Sequence, residues 1–63
     1  MKIVDTDNFD GDYPNERDIA VGIKRRDHAN VMCAALNYWA GVNSPRYYKV
    51  VEDDYVNVPG FIP

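Results

Sequence analysis

Two acidic stretches hold most of the side chains that could do chemistry: DTDNFDGDY at residues 5–13 and KVVEDDYV at 49–56. The first sets Asp5, Asp7, Asp10 and Asp12 around Gly11, hard oxygen donors of the kind calcium takes. The register fails. With Gly11 at the sixth position of a calcium-binding loop, the first position is Thr6 and the twelfth is Arg17, where a bidentate Glu is required. The second stretch sets Glu52, Asp53 and Asp54 side by side between apolar runs. Acid–base work on a sugar needs two carboxylates facing each other across a cleft, whereas adjacent acids on an extended chain point to opposite faces. His28 and Cys33 stand five apart, a spacing that does not bring both to one helix face, and the chain has no other His or Cys to complete four zinc ligands. Ser44 precedes Pro45 with nothing to place the lone His28 beside it as a base. There is no glycine-rich phosphate loop. The residues predict no catalytic site, no metal and no cofactor.

The elements that must position these groups follow from periodicity. Ala29, Met32, Cys33, Leu36, Trp39 and Ala40 recur at spacings of three and four, the stripe of an amphipathic helix. Gly41 follows as a C-terminal cap and Pro45 lies just beyond, so the helix is expected over about 25–40. Asp27 suits the positive end of that helix, while Arg25 and Arg26 beside it do not. Ile19, Val21 and Ile23 alternate with Asp18, Ala20 and Gly22, and RYYKVVE and YVNV carry the same period of two on either side of the acids. KIV at residues 2–4 is a shorter strand candidate, and DTDNFDGDYPNE reads as a long polar loop. The expected fold is α+β: a small antiparallel sheet of three to four strands packed against one helix, in the order β-β-α-β-β. Leu36 and Trp39 should pack on Ile19, Val21, Ile23 and Val50. Glu52, Asp53 and Asp54 should form the turn between the last two strands, and Cys33, inside the apolar stripe, should be an unreactive core residue.

Sixty-three residues allow one domain, residues 1–63, whose core is too small for a large catalytic pocket. At 46% hydrophobic and 13% aromatic the composition is that of a folded chain. The single Cys33 points to a reducing cytoplasm, the N-terminus has no apolar stretch of signal-peptide type, and no run approaches a membrane span. The net charge is -3, arranged as an acidic start, a basic middle holding Lys24, Arg25, Arg26, Arg46 and Lys49, and an acidic end. Either the middle pairs with the ends or the two signs occupy separate faces. The basic residues, with Tyr47 and Tyr48 to stack on bases, would suit a nucleic acid, but carboxylates in both terminal segments oppose that.

RYYKVVEDDYVNVPGFIP at the C-terminus, MKIVDTDNFDGDYPNE at the N-terminus and DHANVMCAALN in the helix resemble segments of short orphan proteins encoded by bacteriophages and prophages. That resemblance implies a small acidic product acting stoichiometrically on host machinery, as anti-CRISPR proteins do, in the cytoplasm of the bacterial host. The expected partner is then a host protein with a basic, nucleic-acid-binding surface, with no membrane and no small-molecule substrate involved. Asp5, Asp7, Asp10, Asp12, Tyr13, Glu16, Glu52, Asp53, Asp54 and Tyr55 are the expected contact residues: carboxylates for steering and aromatic rings as anchors. The alternatives are a phage structural or regulatory protein that binds through its tyrosines and an apolar edge, and a nucleic-acid binder using Lys24, Arg25, Arg26, Arg46 and Lys49.

Overall fold

The computed structural model describes residues 1–9 and 11–60, and its elements follow the order β1 (Lys2–Asp7), β2 (Arg17–Ala20), α1 (Arg26–Ala40) and β3 (Arg46–Val51). The three strands form one antiparallel sheet with β1 in the middle and β2 and β3 at its edges. The class is α+β as the periodicity implies, but the described residues hold three strands, not four. β1 runs to Asp7, three residues into the stretch that reads as loop, and β2 stops at Ala20, leaving Val21 and Ile23 outside it.

Cross-strand partners share a face, so the register divides the sheet's residues in two. Ile3 with Val50 and Ala20, and Asp5 with Tyr48 and Arg17, belong to one face; Lys2 with Val51, Val4 with Lys49 and Asp18, and Thr6 with Tyr47 belong to the other. The register slips between Ile3 and Val4, which leaves Ile19 as the extra residue on β2. Every residue from Lys2 to Thr6 is buried, so β1 is covered on both sides.

The helix lies along β3, touches β1 and does not reach β2. Its contact line is Ala29, Cys33 and Asn37. The Asn37 amide donates to the Tyr48 carbonyl at 2.8 Å and its oxygen accepts from the Tyr48 N–H at 2.8 Å, while the Cys33 thiol donates to the same carbonyl at 3.1 Å. These are the outward groups of an edge strand, and small residues at 29 and 33 let the helix come close enough to take them. A fourth strand would pair at that same edge. Its place is occupied, and this is the physical reason that residues 55–58 do not extend the sheet. Instead the Tyr55 N–H closes a turn on the Glu52 carbonyl at 3.0 Å, and the chain crosses the Val4 face, where Asn57 meets Asp18 and Val58 meets Glu16.

The side chains of α1 sit rotated from the expected stripe. Ala29 and Cys33 are buried and Leu36 is half-buried, but Met32 is exposed and Trp39 is 81% exposed; Ile19 and Val21 are exposed as well. The expected packing of Trp39 on Ile19 and Val21 is therefore absent, because the helix leans on an edge backbone rather than across the β2 side chains. Gly41 ends the helix at φ 85°, a conformation that favours glycine, and donates to the Asn37 carbonyl. The sequence's awkward arginines find partners: Arg25 forks onto Asp27 at 3.0 and 2.7 Å, and Arg26 reaches Glu52 at 2.6 Å.

Candidate interaction surfaces

Glu16 is the centre of the network on the Val4 face. Its carboxylate accepts from the Tyr55 hydroxyl at 2.6 Å and the Val58 N–H at 2.9 Å, and pairs with Lys49 at 2.8 Å. Its own N–H donates to the Val58 carbonyl at 2.8 Å, so the segment after the turn is held at two points on one residue. Burial pushes the Glu16 carboxyl up, but hydrogen bonds from Lys49, Tyr55, Val58 and Thr6 outweigh it and bring it down from 4.5 to about 2. Lys49 also lies over the Tyr55 ring, 4.7 Å from its centre, and donates to its hydroxyl at 2.9 Å.

Asp5 does the same work on the opposite face. Its side chain is 3% exposed and receives Arg17 at 2.7 Å and Arg46 at 2.8 Å. Burial opposes its charge, and the two guanidinium groups overcome that and hold the carboxyl below its ordinary value. Arg46 continues to the carbonyls of Pro14 and Asn15, fixing the end of the β1–β2 loop.

The expected contact residues thus separate into groups. Asp5 and Glu16 are internal ion-pair centres, and Tyr55 is half-buried against one of them. Glu52 pairs with Arg26, and Asp53 with the N-terminal ammonium at 2.9 Å, while Asp54 is exposed in the turn. Asp10 lies outside the described residues. Asp7 closes the start of the first loop by accepting from the Phe9 N–H at 2.9 Å and the Gly11 N–H at 2.8 Å. A Cβ on Gly11 would fall 2.2 Å from an Asp7 oxygen, so a side chain there would push the Asp7 carboxylate out of this position. Asn8 ties the same loop to the helix exit by donating to the carbonyls of Val42 and Ser44. Beyond these anchors Phe9 and Tyr13 are 67% and 60% exposed, with Asp12 exposed between them.

Charge accounting sharpens the contrast. Asp5, Glu16, Asp18, Asp27, Glu52 and Asp53 are ion-paired, and Lys2, Arg17, Arg25, Arg26, Arg46 and Lys49 supply the side-chain cations. These six acids and six bases cancel; among the described residues Asp7, Asp12 and Asp54 make no ion pair and Lys24 has no carboxylate partner. Asp7 ends β1 where the first loop begins, and Asp12 lies within that loop. Of the five cations expected to meet phosphate, only Lys24 lacks a carboxylate partner among the described residues. The basic middle of the chain does pair with its acidic ends.

The periodicity gave no hint of one further surface. Ile19, Ala20, Met32, Ala35, Leu36 and Trp39 line a shallow groove of about 480 Å³ between β2 and α1, opened by the helix's shift towards β3. Val31 and Tyr38, 69% and 91% exposed, continue it around the helix. The signal available was the run from residue 28 to residue 45, which holds no Asp, Glu, Lys or Arg.

Among the described residues no group of three or more His, Cys, Asp or Glu side chains is placed to hold a metal ion, and no helix is long and apolar enough to cross a membrane. Burial pushes the Cys33 thiol up, the direction that weakens a nucleophile. The geometry defines a small α+β protein with two exposed surfaces, an acidic aromatic loop and an uncharged helix face. Comparison with protein-family models, curated proteins and solved structures finds no match to this chain.

Proposed function

We propose that this is a non-enzymatic binding protein that occupies a basic surface of a partner protein with its first loop. The carrying observation is the location of the uncancelled charge: the acids elsewhere are largely neutralised within the fold, while Asp7 and Asp12 flank a loop on which Phe9 and Tyr13 are exposed. Negative charge steers such a loop to a groove built for phosphate, and an aromatic ring at its tip supplies the contact area that charge alone does not. The anchors at Asp7, Asn8 and Arg46 hold the loop in shape before binding, which lowers the ordering cost. The phage-like resemblance suggests that the partner belongs to a host complex that handles nucleic acid, an interference complex of the CRISPR kind being the first to test.

The experiment is capture of such a complex from a bacterial lysate on the immobilised protein, followed by binding kinetics with the purified complex. Phe9→Ala is expected to weaken binding by about 2 kcal/mol, near thirty-fold, mainly through faster dissociation. Asp12→Asn should mainly slow association and flatten the salt dependence. Capture of nucleic acid in place of protein, or an affinity that ignores both substitutions, would overturn the proposal.

A further inference from the structure

Among the described residues few apolar side chains are buried and many are exposed. Ile3, Val4, Ala29 and Cys33 are the buried apolar side chains among them, whereas Ile19, Met32 and Trp39 are exposed along the β2–α1 groove and Val21, Val31 and Tyr38 are exposed as well. An amphipathic helix ordinarily turns its apolar stripe to the core, yet α1 buries Ala29 and Cys33 on the line that meets β3 and leaves Met32 and Trp39 exposed. Its charged residues, Arg26 and Asp27, are confined to the first turn.

We propose that this face is covered by a second copy of the chain, joined about a two-fold axis with α1 antiparallel to its counterpart and Trp39 of each copy seated in the β2–α1 groove of the other. This goes beyond the loop reading and does not depend on it. Three observations select a second copy. An uncharged surface rejects a charged occupant, because a partner's ions would lose their water with nothing to pair with. The same face on another copy brings no ion from residues 28–45 into the contact, and antiparallel helices oppose their dipoles favourably. The area also matches. Covering Tyr38 and Trp39 removes on the order of 300 Å², and with Ile19, Val21, Val31, Met32 and the half-buried Leu36 the face approaches the roughly 800 Å² per partner of a stable interface. Finally, a groove bordered by its own exposed indole has the self-complementarity that a two-fold contact requires. A domain with so small a core gains from such pairing what it lacks alone.

Trp39 is the only tryptophan, so its fluorescence reports on this contact directly. The full-length protein is followed by sedimentation equilibrium and by acrylamide quenching of tryptophan emission from low micromolar to millimolar concentration. The expected result is a monomer–dimer equilibrium in which emission shifts to the blue and quenching falls as dimer forms. Met32→Glu places a charge in the groove twice per dimer and is expected to weaken association by roughly a hundred-fold or more. Val56→Glu, at an exposed position off the helix, should leave association unchanged; far-UV circular dichroism confirms that both variants fold. A wild-type protein that stays monomeric with a fully quenchable Trp39, a dimer that survives Met32→Glu, or one abolished equally by Val56→Glu would overturn the inference.

Discussion

The ion clusters of the sheet and the groove beside the helix are built by different physics. On the Val4 face a charged network, with Glu16, Lys49 and Tyr55 at its centre, holds the C-terminal segment down, and the side chains involved are buried or nearly so. On the Ile3 face the Asp5–Arg17–Arg46 cluster is a second such network at one end of the sheet, but between β2 and α1 the helix stands aside on β3 and leaves Ile19, Met32 and Trp39 at a groove. The inversion is instructive. Among the described residues, ion clusters flank the small apolar core and larger apolar side chains border the groove. A buried ion network tolerates no missing member, whereas an exposed apolar face can lose a ring at little cost to folding. The two regions should therefore respond in opposite ways to the same perturbations.

The largest difference is expected from removing a buried charge. Asp5→Ala leaves Arg46, only 26% exposed, without its carboxylate and should destabilise the fold by about 3 to 5 kcal/mol, a loss that a domain of this size barely survives. Urea unfolding followed by circular dichroism checks it; a midpoint close to wild type would mean that Asp5 is not an anchor. Acid should expose the same dependence. Because the Glu16 carboxyl is depressed from 4.5 to about 2 in the fold, its contribution is fully present above pH 4.5 and is lost as the pH falls towards 2, up to about 3 kcal/mol. Asp5, shifted in the same direction, adds to this loss. Urea midpoints between pH 6 and 2 should fall accordingly, and Glu16→Gln should lower the neutral-pH value and flatten the decline. The smallest effect is expected at the groove: Trp39→Ala, measured at micromolar concentration where the monomer prevails, should change unfolding free energy by less than about 0.5 kcal/mol. A loss of several kcal/mol there would show that Trp39 belongs to the core after all.

That last contrast marks where sequence and structure part. Periodicity located the helix within a residue and named β3 and most of β2, because these depend on local alternation. It assigned Trp39 to the core because the largest apolar residue of a stripe usually lies there, and it had no means of seeing that Asn37, a polar residue, marks the contact line. Asp5 and Glu16 were grouped with the acids of a loop for a similar reason. What buries them is a pair of guanidinium groups, one of them 41 residues away, and an ammonium at position 49, and such long-range pairing leaves no local trace. The alternation of acidic, basic and acidic segments was the legible part, since pairing between them was one of the two outcomes it allowed. The loop of Phe9 and Tyr13 kept its predicted place, while the apolar groove depends on where the helix settles, which no spacing encodes.

The double hydrogen bond from Asn37 to Tyr48 has a consequence for the behaviour of the protein in bulk. An edge strand with open N–H and C=O groups is a template on which further chains can add, layer upon layer, and β3 with its run of Tyr and Val is rich in residues that favour such growth. One side-chain amide, shaped like a peptide group, closes the middle of that template from within the same molecule. Asn37 thus occupies the backbone groups on which strand addition at that point would build. Its loss would be felt as a shortened lag before thioflavin-positive aggregates form in concentrated solution, more than in the melting temperature.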